Sequence, residues 1–209
     1  MSAMVGRLHV ITDARDGRDA IGIARAAAAA GAPVVQVRVK GLTDRALFDL
    51  ARRVVETCAP HSCACVINDR PDIALAVGAA GTHVGADDLP VDAVRRVGGP
   101  HHLVGGTARE ARRASDLAAA GADYLGVGPA YITSTKSGLP DPLGPAGVAA
   151  VARAVAVPVI AIGGVTVERI PELIAVGAHG VAVVSAVSAA ADPGAATRTL
   201  LRALESGHA

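Results

Sequence analysis

Short apolar runs rich in Val, Ile and Leu alternate with longer Ala-, Leu- and Arg-rich stretches along the whole of this chain. The runs read as strands near Leu8–Thr12, Val34–Arg38, Ala64–Ile67, Thr82–Val84, Leu103–Val104, Asp123–Val127, Val159–Ile162 and Gly180–Val184. Between them the pattern predicts helices such as Ala20–Ala30, Asp44–Cys58, Ala108–Ala120, Ala146–Ala154 and Glu168–Val176. A continuously apolar strand is buried on both faces, and strands separated by helices run parallel beneath a helical cover. Eight such units, with no second compositional block and no long linker, favour a closed (β/α)₈ TIM barrel over an open doubly wound sheet. The 209 residues form one domain on this reading, with a final helix running to the C-terminus. That length lies at the short end of the fold's range, which begins at about 200 residues. Ala29-Ala30-Gly31-Ala32, Ala120-Gly121-Ala122 and Val176-Gly177-Ala178 recur where a helix gives way to a strand, as a left-handed helix-closing glycine requires.

Composition narrows the function. Hydrophobic residues make up 51% of the chain, ample for a large core, but aromatic residues only 1%. Phe48, Tyr124 and Tyr131 offer no stacking platform for nucleic acid. A net charge of +1 creates no global field toward nucleic acid or an anionic membrane, so any anion must be held by a local site. Cys58, Cys63 and Cys65 are an odd, clustered set without CxxC spacing, read as reduced core cysteines of a cytoplasmic protein. Met1 to Arg7 lacks the apolar centre of a secretory leader. Arg153, Pro158, Gly163 and Gly164 interrupt the apolar stretch Ala146–Val165, which reads as a buried helix plus a strand and not as a membrane span. The oligomeric state stays open, a homo-oligomer included.

In a barrel of this kind the active site gathers where the strands end and the loops lead into the helices. Two aspartates stand out there. Asp69 and Asp88 each follow one of two successive strands, so parallel pairing brings both carboxylates to one end of the sheet. Closely spaced oxygen ligands suit a hard cation such as Mg²⁺. The alternative is that both are helix N-caps, because Pro71 and Pro90 follow two residues later. Asp87 rivals Asp88 as the second ligand.

The other strand ends add anion grips. Gln36, Arg38 and Lys40 alternate with Val35, Val37 and Val39, so the polar set looks into the barrel mouth while the valines meet the helices. Arg38 and Lys40 read as a phosphate grip. After the fifth strand, Thr107 and Glu110 have capping-box spacing, and the same helix start offers free N–H groups to an anion. The loop after the sixth strand carries Thr133, Ser134, Thr135 and Lys136 before Gly138, a donor-rich segment suited to closing on an anion. Gly163-Gly164 and Val184-Ser185 follow strands seven and eight, the customary phosphate site of these barrels. His83, His101 and His102 read as satisfied core or surface histidines and not as ligands. Two anion sites and one cation site imply two small phosphorylated substrates, one of them a diphosphate chelated through Mg²⁺. Positioning and leaving-group neutralisation fit this set better than covalent catalysis.

Gln36-x-Arg38-x-Lys40, Asn68-Asp69-Arg70, Asp88, Gly128-Pro129 with Thr133-x-Thr135-Lys136, Ala161-Ile162-Gly163-Gly164 and Val184-Ser185 together resemble the thiamine-phosphate synthase family, in order and spacing from about Leu8 to Ser188. The resemblance implies condensation of a hydroxymethylpyrimidine diphosphate with a thiazole phosphate, giving thiamine phosphate and pyrophosphate through a dissociative pyrimidine carbocation. Carried over by motif, Asp69 and Asp88 bind Mg²⁺, and Gln36, Arg38, Lys40, Asn68, Thr107 and Lys136 hold the pyrimidine diphosphate. Arg38, Thr107 and Lys136 are then the catalytic set. Thr133, Thr135, Gly163, Gly164, Val184 and Ser185 hold the thiazole phosphate. Three departures stand out: Val39 replaces a usual acidic residue, Gly106-Thr107 a common Val-Ser, and Arg109 a usual histidine. Thiazole tautomerase relatives use a histidine near that last position and tend to lack the Asn-Asp pair, which this chain keeps. Both points favour the synthase over a tautomerase paralogue; a non-catalytic binder of the same phosphates is the remaining alternative.

Overall fold

A computed structural model of the chain describes residues 5–12, 17–133, 135 and 138–206. Eight parallel strands pair in chain order and close on themselves: β1 (Leu8–Ile11), β2 (Val34–Val37), β3 (Ala64–Asn68), β4 (Gly81–Val84), β5 (Leu103–Ala108), β6 (Tyr124–Val127), β7 (Val159–Ile162) and β8 (Gly180–Val183). The seam pairs Leu8 with Val181 and Val10 with Val183. Helices alternate with the strands: α1 (Ala20–Ala29), α2 (Asp44–Cys58), α3 (Pro71–Ala76), α4 (Val91–Gly98), α5 (Ala111–Ala119), α6 (Gly144–Ala154), α7 (Ile170–Ala175), α8 (Ser185–Ser188) and α9 (Pro193–Ser206). The last of these packs against both α1 and α7. The expected (β/α)₈ barrel is therefore what forms. None of the helices among the described residues is long and apolar enough to cross a membrane.

Local signals set the helix starts. Asp19 accepts a hydrogen bond from Ile21 N at 3.0 Å to begin α1, and Thr43 accepts one from Ala46 N at 3.3 Å to begin α2. Gly31, Gly121 and Gly177 take φ of 95°, 98° and 101°, as their place after a helix requires. One element differs from expectation. The fifth strand runs on through Gly105-Gly106-Thr107 to Ala108, and α5 starts only at Ala111. Gly105 is in the strand because a Cβ there would lie 2.2 Å from Tyr124 Cζ and 2.5 Å from His83 Nδ1. The glycine makes room for neighbours that sit far away in sequence.

Strand alternation divides the core in two. Outward residues such as Leu8, Val10, Val35, Ile67, Val104, Leu125 and Val181 meet the helices in one large cluster. Each such burial contributes about 1.5–3 kcal/mol. Inward residues Ile11, Val34, Val66, Leu103, Tyr124, Ile160 and Ala182, with Val5 beneath them, fill the barrel. Cys58, Cys63 and Cys65 are free and buried in the outer cluster, as expected. Above the inner apolar layer the inward positions turn polar: Gln36 follows Val34, Asn68 follows Val66, and Thr107 lies four residues beyond Leu103. This change of chemistry along each strand puts the site at the C-terminal end.

His9 is the exception within the inner layer. It is buried, donates from Nε2 to Val5 O at 2.6 Å, and sets its ring edge-on to Tyr124 with centroids 5.0 Å apart. Burial lowers its pKa from 6.5 to about 4, against the opposing effect of the Val5 carbonyl. The unfolded chain therefore binds the extra proton first as pH falls below 6.5, and stability declines from there toward pH 4. The part due to His9 is about 3 kcal/mol. Urea unfolding is expected to show a midpoint that drops between about pH 7 and about pH 4.5, with a smaller drop in His9→Asn. Equal pH dependence in the two proteins would show that His9 is not the titrating group.

Candidate active site

The C-terminal ends of the strands enclose a cavity of about 400 Å³. On the β2–β5 side, Gln36 points inward and donates from Nε2 to Asn68 Oδ1 at 2.7 Å, which fixes the Asn68 amide. Arg38 lies just past β2, where its backbone N–H donates to Thr12 Oγ1 at 3.0 Å. Lys40 is exposed and donates from Nζ to Asp69 Oδ2 at 2.6 Å. Gln36, Arg38, Lys40, Asn68, Asp69, Asp88 and Thr107 all line the cavity. Gln36, Arg38 and Lys40 do share the cavity, but the pleat carries only as far as Val37: Val35 and Val37 join the outer core, whereas Val39, past the end of β2, is half-buried and outside that cluster.

Neither aspartate is a helix cap. Asp69 adopts a left-handed φ of 64°, and its N–H donates to His83 O at 2.8 Å, so it continues the β3–β4 ladder before the chain turns. Aspartate is among the few residues that tolerate this conformation. Arg70 occupies the position before α3, with Pro71 in the first turn. Asp88 accepts from Gly85 N at 2.8 Å and closes its own turn, while Pro90 precedes α4. The Asp88 carboxyl meets that of Asp69; desolvation first and this like-charged neighbour second push its pKa up, against the Gly85 N–H. Asp87 lines the same cavity.

Thr107 is likewise no cap. It is an inward residue of β5, and its Oγ1 lies 3.0 Å from His83 Nε2. Its capping-box reading and the anion site at a helix start there both fall with the lengthened strand, and Glu110, next to α5, makes no side-chain cap. His83 Nδ1 in turn lies 3.2 Å from Tyr124 OH. The His83 reading as a satisfied histidine holds, yet it also lines the cavity with His9 and Tyr124. Burial lowers the His83 pKa to about 4, partly offset by Asp88, so its imidazole is neutral at neutral pH. Burial also raises the Tyr124 phenol. The floor of the cavity is therefore polar but uncharged. Period-two alternation along Gly81–His83 was the signal that could have placed His83 there.

The β6–β8 side is built from backbone and hydroxyls. Gly163 and Gly164 take φ of 93° and 64°, and they line the cavity together with Val184 and Ser185. A Cβ on Gly164 would lie 2.5 Å from Ile132 O, so the turn fits only glycine. Thr133 and Thr135 line the same side, with Thr133 Oγ1 donating to Thr135 Oγ1 at 3.2 Å. Lys136 lies outside the described residues. Arg109 donates to Gly128 O at 3.1 Å and Asp141 O at 2.8 Å, so it braces the β6–α6 connection and is absent from the cavity wall.

One cavity thus has a basic, carboxylate-bearing side and a glycine-hydroxyl side across an uncharged floor. Among the described residues no three His, Cys, Asp or Glu side chains form a metal centre of their own. Two adjoining carboxylates are nonetheless the donor set Mg²⁺ takes when substrate oxygens complete its shell.

Known proteins share this chain's sequence and fold. Residues 8–187 match the family described as thiamine monophosphate synthase. A thiamine-phosphate synthase of Salinispora arenicola is 56% identical over 96% of this chain and 98% of its own length. One from Salinibacter ruber is 42% identical over 96% of this chain and 89% of its own. A solved thiamine phosphate pyrophosphorylase from Pyrococcus furiosus superposes with a TM-score of 0.89 at 29% identity, covering 100% of this chain and 98% of the other. A 3-hexulose-6-phosphate synthase, at 21% identity and a TM-score of 0.72, shares the fold alone. This chain belongs to the thiamine monophosphate synthase family.

Proposed function

We propose that the cavity joins 4-amino-5-hydroxymethyl-2-methylpyrimidine diphosphate to a 4-methyl-5-hydroxyethylthiazole phosphate and releases thiamine phosphate and pyrophosphate; the carboxylated tautomer of the thiazole phosphate would in addition lose its carboxylate as carbon dioxide. The observation that carries this reading is the division of one cavity into a basic, carboxylate-bearing side and a glycine-hydroxyl side. Gln36, Arg38, Lys40, Asn68 and Thr107 hold the pyrimidine diphosphate, together with Lys136. Thr133, Thr135, Gly163, Gly164, Val184 and Ser185 hold the thiazole phosphate. Asp69 and Asp88 would hold Mg²⁺, which neutralises diphosphate oxygens when bound.

The chain's own groups then act on charge and distance. The bond between the pyrimidine methylene and its oxygen breaks, and the electron pair leaves with pyrophosphate. Arg38, Lys40 and Lys136 stabilise that departing charge. Thr107, oriented by His83, donates its hydroxyl to the same group. The thiazole nitrogen, held by its phosphate on the other side, then forms the new C–N bond to the cationic methylene. His83 stays neutral, so the floor beneath the cation carries no opposing charge. Three reduced cysteines and charged, soluble substrates suit the cytoplasm.

The test is to mix both substrates with the protein, with and without Mg²⁺. Thiamine phosphate and pyrophosphate are expected in equal amounts, and only with the metal; turnover of the thiazole phosphate alone, indifferent to EDTA, would instead mark a tautomerase. Asp69→Asn keeps a residue that tolerates the left-handed backbone. It should raise the Mg²⁺ requirement by about tenfold or more while leaving the thermal midpoint near wild type. Wild-type metal dependence in that variant would remove Asp69 from the metal site. Because burial and Asp69 raise the Asp88 pKa, Mg²⁺ binding is expected to weaken on acidification sooner than an ordinary carboxylate pair would allow. Titrating the Mg²⁺ requirement against pH in wild type and Asp88→Asn measures this, and parallel curves would refute it.

A further inference from the structure

The β6–α6 connection leaves the barrel directly against the Gly163-Gly164 turn. Two backbone bonds carry the β6–β7 pairing past the strands: Ala130 N to Ile162 O at 2.7 Å, and Tyr131 N to Gly163 O at 3.0 Å. The far end of the connection returns to the same place, where Leu143 N donates to Pro129 O at 2.8 Å and Gly144 N to Ala130 O at 3.0 Å. Thr133 and Thr135 project from this closed base into the cavity wall.

Arg169 lies outside that wall, at the end of the 3₁₀ turn Val167–Arg169, and grips both segments with one guanidinium. Its Nη1 donates to Gly164 O at 2.5 Å, and its plane sits over the Tyr131 ring, 4.3 Å from the centroid. Tyr131 OH donates to Glu172 Oε2 at 2.8 Å, which holds the ring against the guanidinium. The fit is close, since a Cβ on Gly164 would lie 2.8 Å from Tyr131 Cβ. In a trans peptide C=O and N–H point in opposite directions. Holding Gly164 O outward on Arg169 therefore turns the Val165 N–H the other way, on a residue that lines the cavity.

We propose that Arg169 is a positioning residue that locks the Gly163-Gly164 turn to the Tyr131 segment, so that cradle and loop hydroxyls hold the thiazole phosphate as one unit. The role rests on the thiazole-phosphate subsite assigned under the proposed function. Glu172 and Tyr131 act only through Arg169. A merely stabilising contact would affect both substrates alike, or neither.

The experiment compares wild type, Arg169→Ala, Arg169→Lys, Tyr131→Phe and Tyr131→Ala by steady-state kinetics in each substrate. In parallel, 4-methyl-5-hydroxyethylthiazole phosphate is titrated calorimetrically into each protein. Arg169→Ala should raise KM for the thiazole phosphate and weaken its calorimetric binding by about tenfold, with KM for the pyrimidine diphosphate within about twofold of wild type. Arg169→Lys should recover part of the loss, because it restores a charged donor without the flat stacking group. Tyr131→Phe keeps the ring but loses the Glu172 bond and should fall between wild type and Tyr131→Ala, which should follow Arg169→Ala. Unchanged thiazole-phosphate affinity in Arg169→Ala, or parallel rises in both KM values, overturns the role. If Arg169→Ala does not fold, Tyr131→Ala decides on the same criteria. Wild-type protein that turns over both substrates yet shows no saturable thiazole-phosphate site overturns the subsite assignment and this role with it; absence of turnover with binding intact leaves the Arg169 comparison to calorimetry, which decides it alone.

Discussion

Closure of the sheet through the Leu8–Val181 pairing is the constraint on which the rest of the molecule depends. Once β8 returns to β1, every strand acquires an inside and an outside, and side chains must alternate between them. The outward set is apolar because helices cover it. The inward set has room for few residues, so its chemistry is decided position by position. Apolar Val34 and Val66 sit deep, polar Gln36 and Asn68 sit one pleat higher, and a cavity opens where filling stops. Open ends of the sheet would let the same residues slip in register without bringing Gln36 to within 2.7 Å of Asn68.

The periodicity of single segments was legible in the sequence. The runs that build β1–β8 are continuous and apolar, and the inward face of Gln36 follows from a period of two, although β2 ends before Arg38 and Lys40. What could not be read were features decided by distant neighbours. Gly105 and Gly106 look like a loop because glycine is poor in strands, yet Gly105 is required in β5 by the Tyr124 and His83 rings. With the strand end misplaced, Thr107 looked like a cap and not like an inward partner of His83. The cap alternative for Asp69 and Asp88 stayed open for a similar reason: their spacing to Pro71 and Pro90 is visible, but the left-handed backbone of Asp69 and the Gly85–Asp88 turn are not. His83 was within reach, since the alternation used for β2 applies equally to β4.

On the proposed reading the site's electrostatics favour two substrates and a cation together. The whole chain carries a net charge of only +1, so no long-range field gathers anions. Locally Lys40 is already paired with Asp69, and Asp69 and Asp88 repel each other where their carboxyls meet. On the proposed reading a diphosphate alone would meet carboxylates, and a cation alone would meet Lys40 and Arg38. A diphosphate with Mg²⁺ would satisfy both sets at once: Lys40 would exchange a carboxylate for phosphate oxygens, and the two aspartates would gain a positive charge that relieves their repulsion.

On the same reading the glycine-hydroxyl side needs a different solution, because it would hold an anion without a full positive charge in the wall among the described residues. Backbone N–H groups act as partial charges only if their peptide planes are held still. Gly163 and Gly164, with φ of 93° and 64°, lack the side chains that would hold them. The restraint has to come from outside the wall, where β6–β7 backbone bonds and the guanidinium of Arg169 supply it. Placing Arg169 behind the turn also keeps its charge out of the cavity, where it would compete with Arg38 and Lys40 for the diphosphate. On the proposed reading the two sides would then differ for a physical reason: one must bind a charge that leaves, the other a charge that stays with the product.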